Sequence, residues 1–389
     1  MPWKEIKPMD QKIKMISDWC EHDDNITALA IKYGLSRKTV YKWVNRYEAE
    51  GLDGLKDQSR APKTYPNKTP DDIINLLVKE KYKHRRWGPR KIIAWLKDKD
   101  PDKEWPAPST AGEWLKKLGL SRKRHLRKRV PPYAEPFLKC YHPNDIWSAD
   151  YKGHFRTDDN RTCYPLTITD NKSRYLLACQ ALSAPRYEET KAVFKATFKE
   201  YGMPYAIRVD NGTPFASRNV TGLSRLSIWW IKLGIIPERI AKGKPEQNGR
   251  HERMHRTLKE YVITPPAMTS REQQERFDMF RIEYNEERPH ESLGQKPPAS
   301  IYRKSDREYK EKLFHPEYDS SFSVRRVWHK GQIRFKGGYY YLSELLCNES
   351  VGLKEIGDGV WQINFGFQPI SILNLHTKRL EPYEKAGLL

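Results

Sequence analysis

Residues 121–129 read SRKRHLRKR, and six of these nine are Arg or Lys. Like charges at that density repel one another, so the run disfavours compact folding and reads as a basic linker able to follow phosphates. A solvated loop or a localisation tag is the plainer alternative. Pro131 and Pro132 follow at once and stop a helix from continuing. The run therefore divides the chain into parts that fold on either side of it. For 389 residues roughly two to four domains are expected. The charge gathers around the same place. Residues 51–139 hold 23 Lys or Arg against 11 Asp or Glu, a balance of +12, whereas the first fifty hold 9 against 8. The whole chain, with 71 basic and 50 acidic residues, stands at +21, and a polyanion is its leading partner. A basic enzyme that never meets nucleic acid stays open on composition alone.

Other classes are excluded. No uninterrupted apolar stretch approaches the roughly 18 residues of a membrane-spanning helix, and the charged first ten residues show no signal peptide. Five cysteines (Cys20, Cys140, Cys163, Cys179, Cys347) stand far apart without a CxxC pair. That spacing argues against a disulfide framework and the usual zinc clusters, and favours a reducing cytoplasm.

Two helical units precede the linker. In NITALAIKYGLSRKTVYKWVNRYEAEG, Asn25 or Thr27 can cap a short helix, Gly34 supplies a tight turn, and Ser36 caps the next helix. Ala30, Gly34 and Val40 suit a pair of closely crossing helices, with Gly51 and Gly54 ending the unit. This is a helix-turn-helix pattern, and its second helix would present Arg37, Lys38, Tyr41 and Lys42 near its N-terminus, where recognition helices meet bases. A helical hairpin that binds only protein is the alternative. The second unit, 67–120, has an apolar stripe at Ile73, Ile74, Leu77 and Val78, a break at Trp87-Gly88-Pro89, and a second stripe at Ile92, Ile93 and Leu96. Pro108-Ser109 opens a third helix with Trp114, Leu115 and Leu118 inward. Arg90 and Lys91 are its candidate DNA contacts, although a plain three-helix domain fits nearly as well.

From Asn144 the pattern changes. IWSADYKGHF, CYPLTITD and YLLACQAL read as three strands, residues 187–201 as a helix, and 206–210 as a short buried strand ending on an acid. Strands, a helix, another strand and more helices make an α/β arrangement with a mixed sheet. Three carboxylates stand out: Asp150 inside an apolar strand, Asp210 at a strand end, and Glu252 on a helix beginning after Gly249. Acids from different strands and a helix can converge on hard divalent cations. Two such ions roughly 4 Å apart stabilise both the attacking and the leaving oxygen of a phosphoryl displacement. Without more context, three acids in a charged protein are as readily exposed or salt-bridged.

The flanking residues supply that context. W-S-A-D-Y, V-D-N-G-x-x-F, G-K-P-E-Q-N-G-R-x-E-R-x-x-x-x-L-K and, from Asn285 to Pro298, N-x-x-R-P-H-x-S-L-G-x-x-P-P together resemble the catalytic core of DDE transposases of bacterial insertion sequences. These are relatives of retroviral integrases on a ribonuclease-H-like fold. The resemblance covers about residues 141–302 and implies that Asp150, Asp210 and Glu252 form the metal-binding triad. It implies two Mg²⁺ ions, with Mn²⁺ as a substitute. Glu246 and Asp170 are competitors, the first belonging to a loop and the second read as structural. Arg256 and Lys259, at i+4 and i+7 from Glu252, would hold DNA phosphate beside it, with Lys244 and Asn248 reaching substrate from the preceding loop. His251 and His255 read as DNA-facing or structural rather than as ligands. In the linker, Arg122, Lys123, Arg124, Arg127, Lys128 and Arg129 are further DNA candidates. Unlike retroviral integrases, the chain has no HHCC zinc module.

The C-terminal part shows six short β runs at 324–329, 332–335, 339–342, 351–356, 360–365 and 370–373, with hairpin signals at Lys336-Gly337-Gly338 and Gly357-Asp358-Gly359. A small SH3-like β-barrel is expected. Arg325, Arg326, Lys330, Arg334 and Lys336 could meet phosphate, or the barrel could serve subunit contacts. The expected organisation is a helix-turn-helix domain at 1–58, a second helical DNA-binding domain at 67–120, a basic linker at 121–136, a ribonuclease-H-like DDE core at 137–302, a charged connector at 303–321, and a barrel at 322–382. The function implied is transposition: binding the terminal inverted repeats, cleaving to expose 3′-OH ends, and joining these to target DNA. A dimer or larger assembly on double-stranded DNA, in the bacterial cytoplasm at the nucleoid, goes with it. The alternatives are a catalytically silent DNA-binding derivative and a plain ribonuclease-H-like nuclease.

Overall fold

The computed structural model describes residues 8–22, 25–58, 68–121, 138–217, 219–240 and 249–383. Arg122, Lys123, Arg124, Arg127, Lys128, Arg129, Lys244 and Asn248, all candidates above, lie outside the described residues, as does Glu246. Backbone contacts divide the chain into two units, 1–69 and 70–389. No helix among the described residues is long and apolar enough to cross a membrane.

The first unit holds α1 (Pro8–His22), α2 (Ile26–Tyr33) and α3 (Arg37–Glu50). The Asn25 side chain accepts from Thr27 N–H, and Ser36 Oγ accepts from Thr39 N–H, each at 3.2 Å. Between α2 and α3, Gly34 sits at φ 63°, a conformation that side-chain-bearing residues adopt only with strain. The turn thereby brings Ala30 and Leu29 against Val40, Trp43 and Val44. Gly54 is required for a different reason: a Cβ there would lie 2.2 Å from the Arg46 carbonyl oxygen. α1 was not expected. It adds Met15 and Ile16 to the same core and makes the unit a three-helix domain.

The second unit opens with α4 (Asp71–Lys83), α5 (Pro89–Lys99) and α6 (Pro108–Lys117), the latter two each beginning on proline. Ile73, Leu77, Trp87, Ile92, Ile93, Leu96, Ala111 and Leu115 form their core. Leu118, expected inward, is 48% exposed because α6 has already ended.

The central part follows as β1 (Ile146–Tyr151), β2 (Phe155–Arg156), β3 (Thr162–Asp170), β4 (Leu176–Leu182), α7 (Tyr187–Tyr201), β5 (Ala206–Val209), α8 (Arg225–Lys232), β6 (Ile236–Arg239), α9 (Gly249–Leu258) and α10 (Ser270–Ile282). β1 and β4 run antiparallel to β3, whereas β1 with β5 and β5 with β6 are parallel. This is the expected mixed sheet, with α7 and α8 as the crossovers that parallel pairing needs. Alternation along the strands separates its two faces. Trp147 and Ala149 of β1, with Leu166 and Ile168 of β3, meet Phe194 and Phe198 of α7 and Trp230 of α8. On the opposite face Cys163 and Leu176 meet Met254 and Leu258 of α9 and Phe277 and Phe280 of α10. Ser148 and Asp150 belong to that second face.

The C-terminal strands are β7 (Ser323–Arg326), β8 (Gln332–Phe335), β9 (Gly338–Tyr341), β10 (Ser350–Gly357), β11 (Val360–Phe365), β12 (Gln368–Asn374) and β13 (Arg379–Pro382). The expected barrel is corrected here: among the described residues there is an open five-stranded antiparallel sheet, β13-β12-β11-β10-β7, and a separate hairpin, β8-β9. The turn at Trp328–Gly331 and the short 3-10 helix Glu344–Leu346 take β8-β9 out of the ladder. Its Phe335 meets Trp361 edge-on at 4.9 Å, so the hairpin packs on the sheet without closing it. The connector before β7 contains no helix. Its backbone is spent elsewhere: Ser305 N–H donates to Tyr201 O, Met203 N–H to Arg307 O, and Phe314 N–H to Lys232 O.

Candidate active site

Asp150 and Asp210 are brought side by side by parallel pairing. The β1–β5 register joins Ile146 to Ala206, Trp147 to Ile207 and Ser148 to Arg208, a constant offset of 60. Carried two residues further, it sets Asp150 opposite Asp210, on the sheet face covered by α9. Asp210 closes its own loop, its Oδ1 accepting from Gly212 N–H at 3.1 Å, while Asn211 Nδ2 donates to Ile240 O at 2.7 Å. Glu252 lies in the first turn of α9 and is exposed.

These positions leave an electrostatic mark on Asp150. Its carboxyl is pushed up from 3.8 to about 7, first by burial, then by the charge of Asp210, with Glu252 also contributing. Asp170 is different. It is 1% exposed, and burial raises it too, but its oxygens accept from Asn144 N–H, Ser173 N–H and Ser173 Oγ–H at 2.8, 2.7 and 2.6 Å. Its lone pairs are occupied in bracing the β3–β4 turn, as the structural reading expects.

Beneath Asp150 lie two buried imidazoles. His251 and His255, at i and i+4 on α9, both place Nε2 2.7 Å from Thr167 Oγ1 of β3. His251 Nδ1 is 3.2 Å from Thr169 Oγ1, and His255 Nδ1 is 3.8 Å from Asp150 Oδ2. Burial pushes His251 down to about 3 and His255 well below 6.5, so both are neutral at physiological pH. Asp150, His251 and His255 each offer one ligand atom within 4.8 Å of the others. Both ring nitrogens of His251 already have hydroxyl partners, however, and a metal ligand needs a free lone pair. His251 is therefore structural, and both histidines are buried against the sheet, while His255 keeps its Nδ1 on the side of Asp150. A hard cation prefers oxygen ligands, and the carboxylates whose charges reach Asp150 are those of Asp210 and Glu252.

Comparison with known proteins agrees with this core. The integrase core domain matches residues 141–245, and a second integrase core family matches 233–298. A helix-turn-helix domain matches 11–63, and a homeodomain-like domain matches 39–115. An uncharacterized 39.2 kDa protein of insertion element IS476 from Xanthomonas euvesicatoria is 27% identical over 258 residues, 64% of this chain and 70% of that protein. An uncharacterized 31.7 kDa protein of insertion element IS407 from Burkholderia multivorans is 24% identical over 248 residues, 61% of this chain and 83% of its own length. The chain thus carries an integrase core and helix-turn-helix domains, and resembles proteins of bacterial insertion elements. Among solved structures, the trimeric HTLV-2 integrase catalytic core domain in complex with magnesium is 17% identical, spanning 42% of this chain and 100% of that one at a TM-score of 0.34.

The remaining candidates fall into two groups. Arg37, Lys38, Tyr41 and Lys42 are all exposed on α3, and Arg256 and Lys259 are exposed beside Glu252. Arg90 is exposed too, 3.5 Å from Glu291. Lys91 is not available in the same way. Its ammonium donates to the Pro289 carbonyl, and burial, aided by Arg288, lowers its pKa to about 7. It belongs to a seam between the helical domain and the core, where Arg86 lies 3.5 Å from Glu260 and His84 Nδ1 3.2 Å from Glu283. Sequence reasoning missed Thr167. A threonine in a strand is ordinary, and only the His-x-x-x-His spacing of α9 hinted that a polar partner lay opposite.

Proposed function

We propose that the protein is a DNA transposase. Its helical units bind the terminal inverted repeats of its own element, and its carboxylate cluster hydrolyses a phosphodiester at each end to leave a 3′-OH. That hydroxyl then attacks a target phosphodiester, forming the new P–O bond as the target's own 3′ oxygen leaves. No covalent protein–DNA intermediate is formed. The observation that carries the reading is the β1–β5 register that sets Asp150 opposite Asp210, and the Asp150 carboxyl, raised by burial and by the charges of Asp210 and Glu252, accords with it.

Asp150, Asp210 and Glu252 would hold two Mg²⁺ ions, or Mn²⁺ in their place, which when bound supply Lewis-acid activation of the attacking oxygen and neutralise charge on the leaving one. Arg256 and Lys259, on the Glu252 side of α9, hold the scissile strand's phosphates against the site. Arg37, Lys38, Tyr41 and Lys42 read the end, while Arg90, the basic linker, Lys244 and Asn248 track it towards the core. Residues 323–341 contain five Lys or Arg and no Asp or Glu. Of these, Arg325, Arg326, Lys330, Arg334 and Lys336 are exposed and suit a second, target duplex. Self-association on DNA brings two ends together, and the work is done in the bacterial cytoplasm, on nucleoid DNA.

Asp150→Asn or Glu252→Gln should abolish Mg²⁺-dependent cleavage and strand transfer, with end binding nearly intact. Strand transfer at the wild-type rate in either variant would sink the proposal. End binding without any metal-dependent nicking in the wild type would point instead to a silent DNA-binding derivative.

A further inference from the structure

We propose that the Thr167 hydroxyl is a positioning group for the carboxylate cluster, setting how α9 sits on the sheet and so where Glu252 stands relative to Asp150. The inference rests on the reading of Asp150, Asp210 and Glu252 as the metal-holding set. A hydroxyl has one proton to donate and two lone pairs to accept with. Thr167 Oγ1 has three partners: the Asp150 carbonyl oxygen at 3.1 Å, and the Nε2 atoms of His251 and His255 at 2.7 Å each. The carbonyl can only accept, so the hydroxyl donates to it, and both imidazoles donate their Nε2 protons to the same oxygen. This assignment fills the hydroxyl's capacity. It also leaves His251 Nδ1 to accept from Thr169 Oγ1–H at 3.2 Å.

The geometry matters because of what lies at each end. In the β1–β3 register Thr167 is the partner of Asp150. The residue that pins α9 is therefore paired with the strand position of the first carboxylate. One contact would leave a helix free to turn about it. Two contacts from successive turns, converging on one oxygen, fix both its rotation and its position along the axis. Glu252 follows His251 directly and is displaced about 100° around the helix. The histidine stripe thus faces the sheet, while Glu252, Arg256 and Lys259 face solvent. Thr167 is 0% exposed, so no solvent replaces its oxygen if it is removed.

The test measures Mn²⁺ binding to the full chain, using Mn²⁺ alone as the probe, with circular dichroism and thermal melting alongside. Thr167→Val keeps the β-branch but strands two buried N–H groups, and should weaken Mn²⁺ binding about 10-fold or more, the usual scale for groups that orient metal ligands. Thr167→Ser restores the hydroxyl and should bind within about 2-fold of wild type, a rescue that simple loss of packing would not give. His255→Ala removes one of the two pins and should give a smaller loss; it decides the matter if Thr167→Val does not fold. Asp150→Asn marks the carboxylate site itself. If Asp150→Asn weakens Mn²⁺ binding while Thr167→Val and His255→Ala match wild type, the positioning role is overturned and the carboxylate reading survives. Failure of Thr167→Ser to rescue overturns it as well. If Asp150→Asn binds Mn²⁺ as wild type does, the carboxylate reading falls and takes this inference with it.

Discussion

Asp150→Asn should make the protein more stable at alkaline pH while removing its activity. The folded chain holds the Asp150 proton to about 7, against 3.8 for an unperturbed carboxyl. Below about 4 both folded and unfolded chains keep that proton, and the site costs nothing. As pH rises from 4 towards 7 the unfolded chain releases it while the fold retains it, so stability falls with pH. Above about 7 the whole penalty is in place. At about 1.4 kcal/mol per pH unit, the shift amounts to roughly 4 kcal/mol at pH 8.5 and about 1 kcal/mol at pH 4.5. The Asp150 side chain is 18% exposed, so little of this is lost to solvent screening; relaxation around the charge could still halve it, to roughly 2 kcal/mol. Asparagine carries no charge to desolvate or repel. For a cooperative unit of this size the gain corresponds to a rise in Tm of roughly 4–8 °C at pH 8.5 in EDTA, with a much smaller difference at pH 4.5. Melting curves of the two proteins at both pH values provide the assay. Adding Mg²⁺ should raise the wild-type Tm at pH 8.5 and leave the variant where it was, because only the wild type offers the cluster its full charge. An equal change in Tm at the two pH values, or a variant less stable at pH 8.5, would refute the reasoning.

Two further outcomes concern DNA. Arg37→Ala should either lower the salt dependence of end binding by about one counterion or confine its loss to a single repeat position, the signatures of phosphate and base contact respectively; no change in either would remove α3 from the interface. Lys91→Met should leave the salt slope unaltered, since its ammonium is turned to the Pro289 carbonyl, and a fall of about one in that slope would return it to the DNA face.

How far the site was legible depended on what each residue had to announce itself. Asp150 was visible because a charged residue inside W-S-A-D-Y breaks an apolar run, and Asp210 and Glu252 because their neighbours form a specific ensemble. The helix-turn-helix was visible in Gly34 and Ser36, whose roles are local and depend on few neighbours. Thr167 had no such signal. Its importance comes from a β1–β3 register and from a helix more than 80 residues later, as the separation of 84 from His251 shows. The barrel failed for a related reason: alternating strands specify that a sheet forms, but whether it closes depends on the turns at Trp328–Gly331 and Glu344–Leu346. α1 went unseen because its polar residues interrupt the apolar ones, and only Met15 and Ile16 are fully covered.

The positive excess in residues 51–139 also takes on a second meaning. Read along the chain, it suggested one surface for DNA. In the fold, part of it faces acids of the core: Lys83 lies 3.4 Å from Glu287, Arg86 3.5 Å from Glu260, and Arg90 3.5 Å from Glu291. Exposed pairs of this kind contribute little to stability singly. What they do is set the helical domain in register with one segment of the core, and the apolar contact beside them shows which. Tyr261, from the π-helical turn Lys259–Ile263 that continues α9, joins the Trp87 and Ile92 core of the helical domain. The segment that continues the Glu252 helix therefore packs against the helical domain. A shift of that domain would reach α9 through Tyr261, whereas the contacts of His251 and His255 with Thr167 tie the same helix to the sheet.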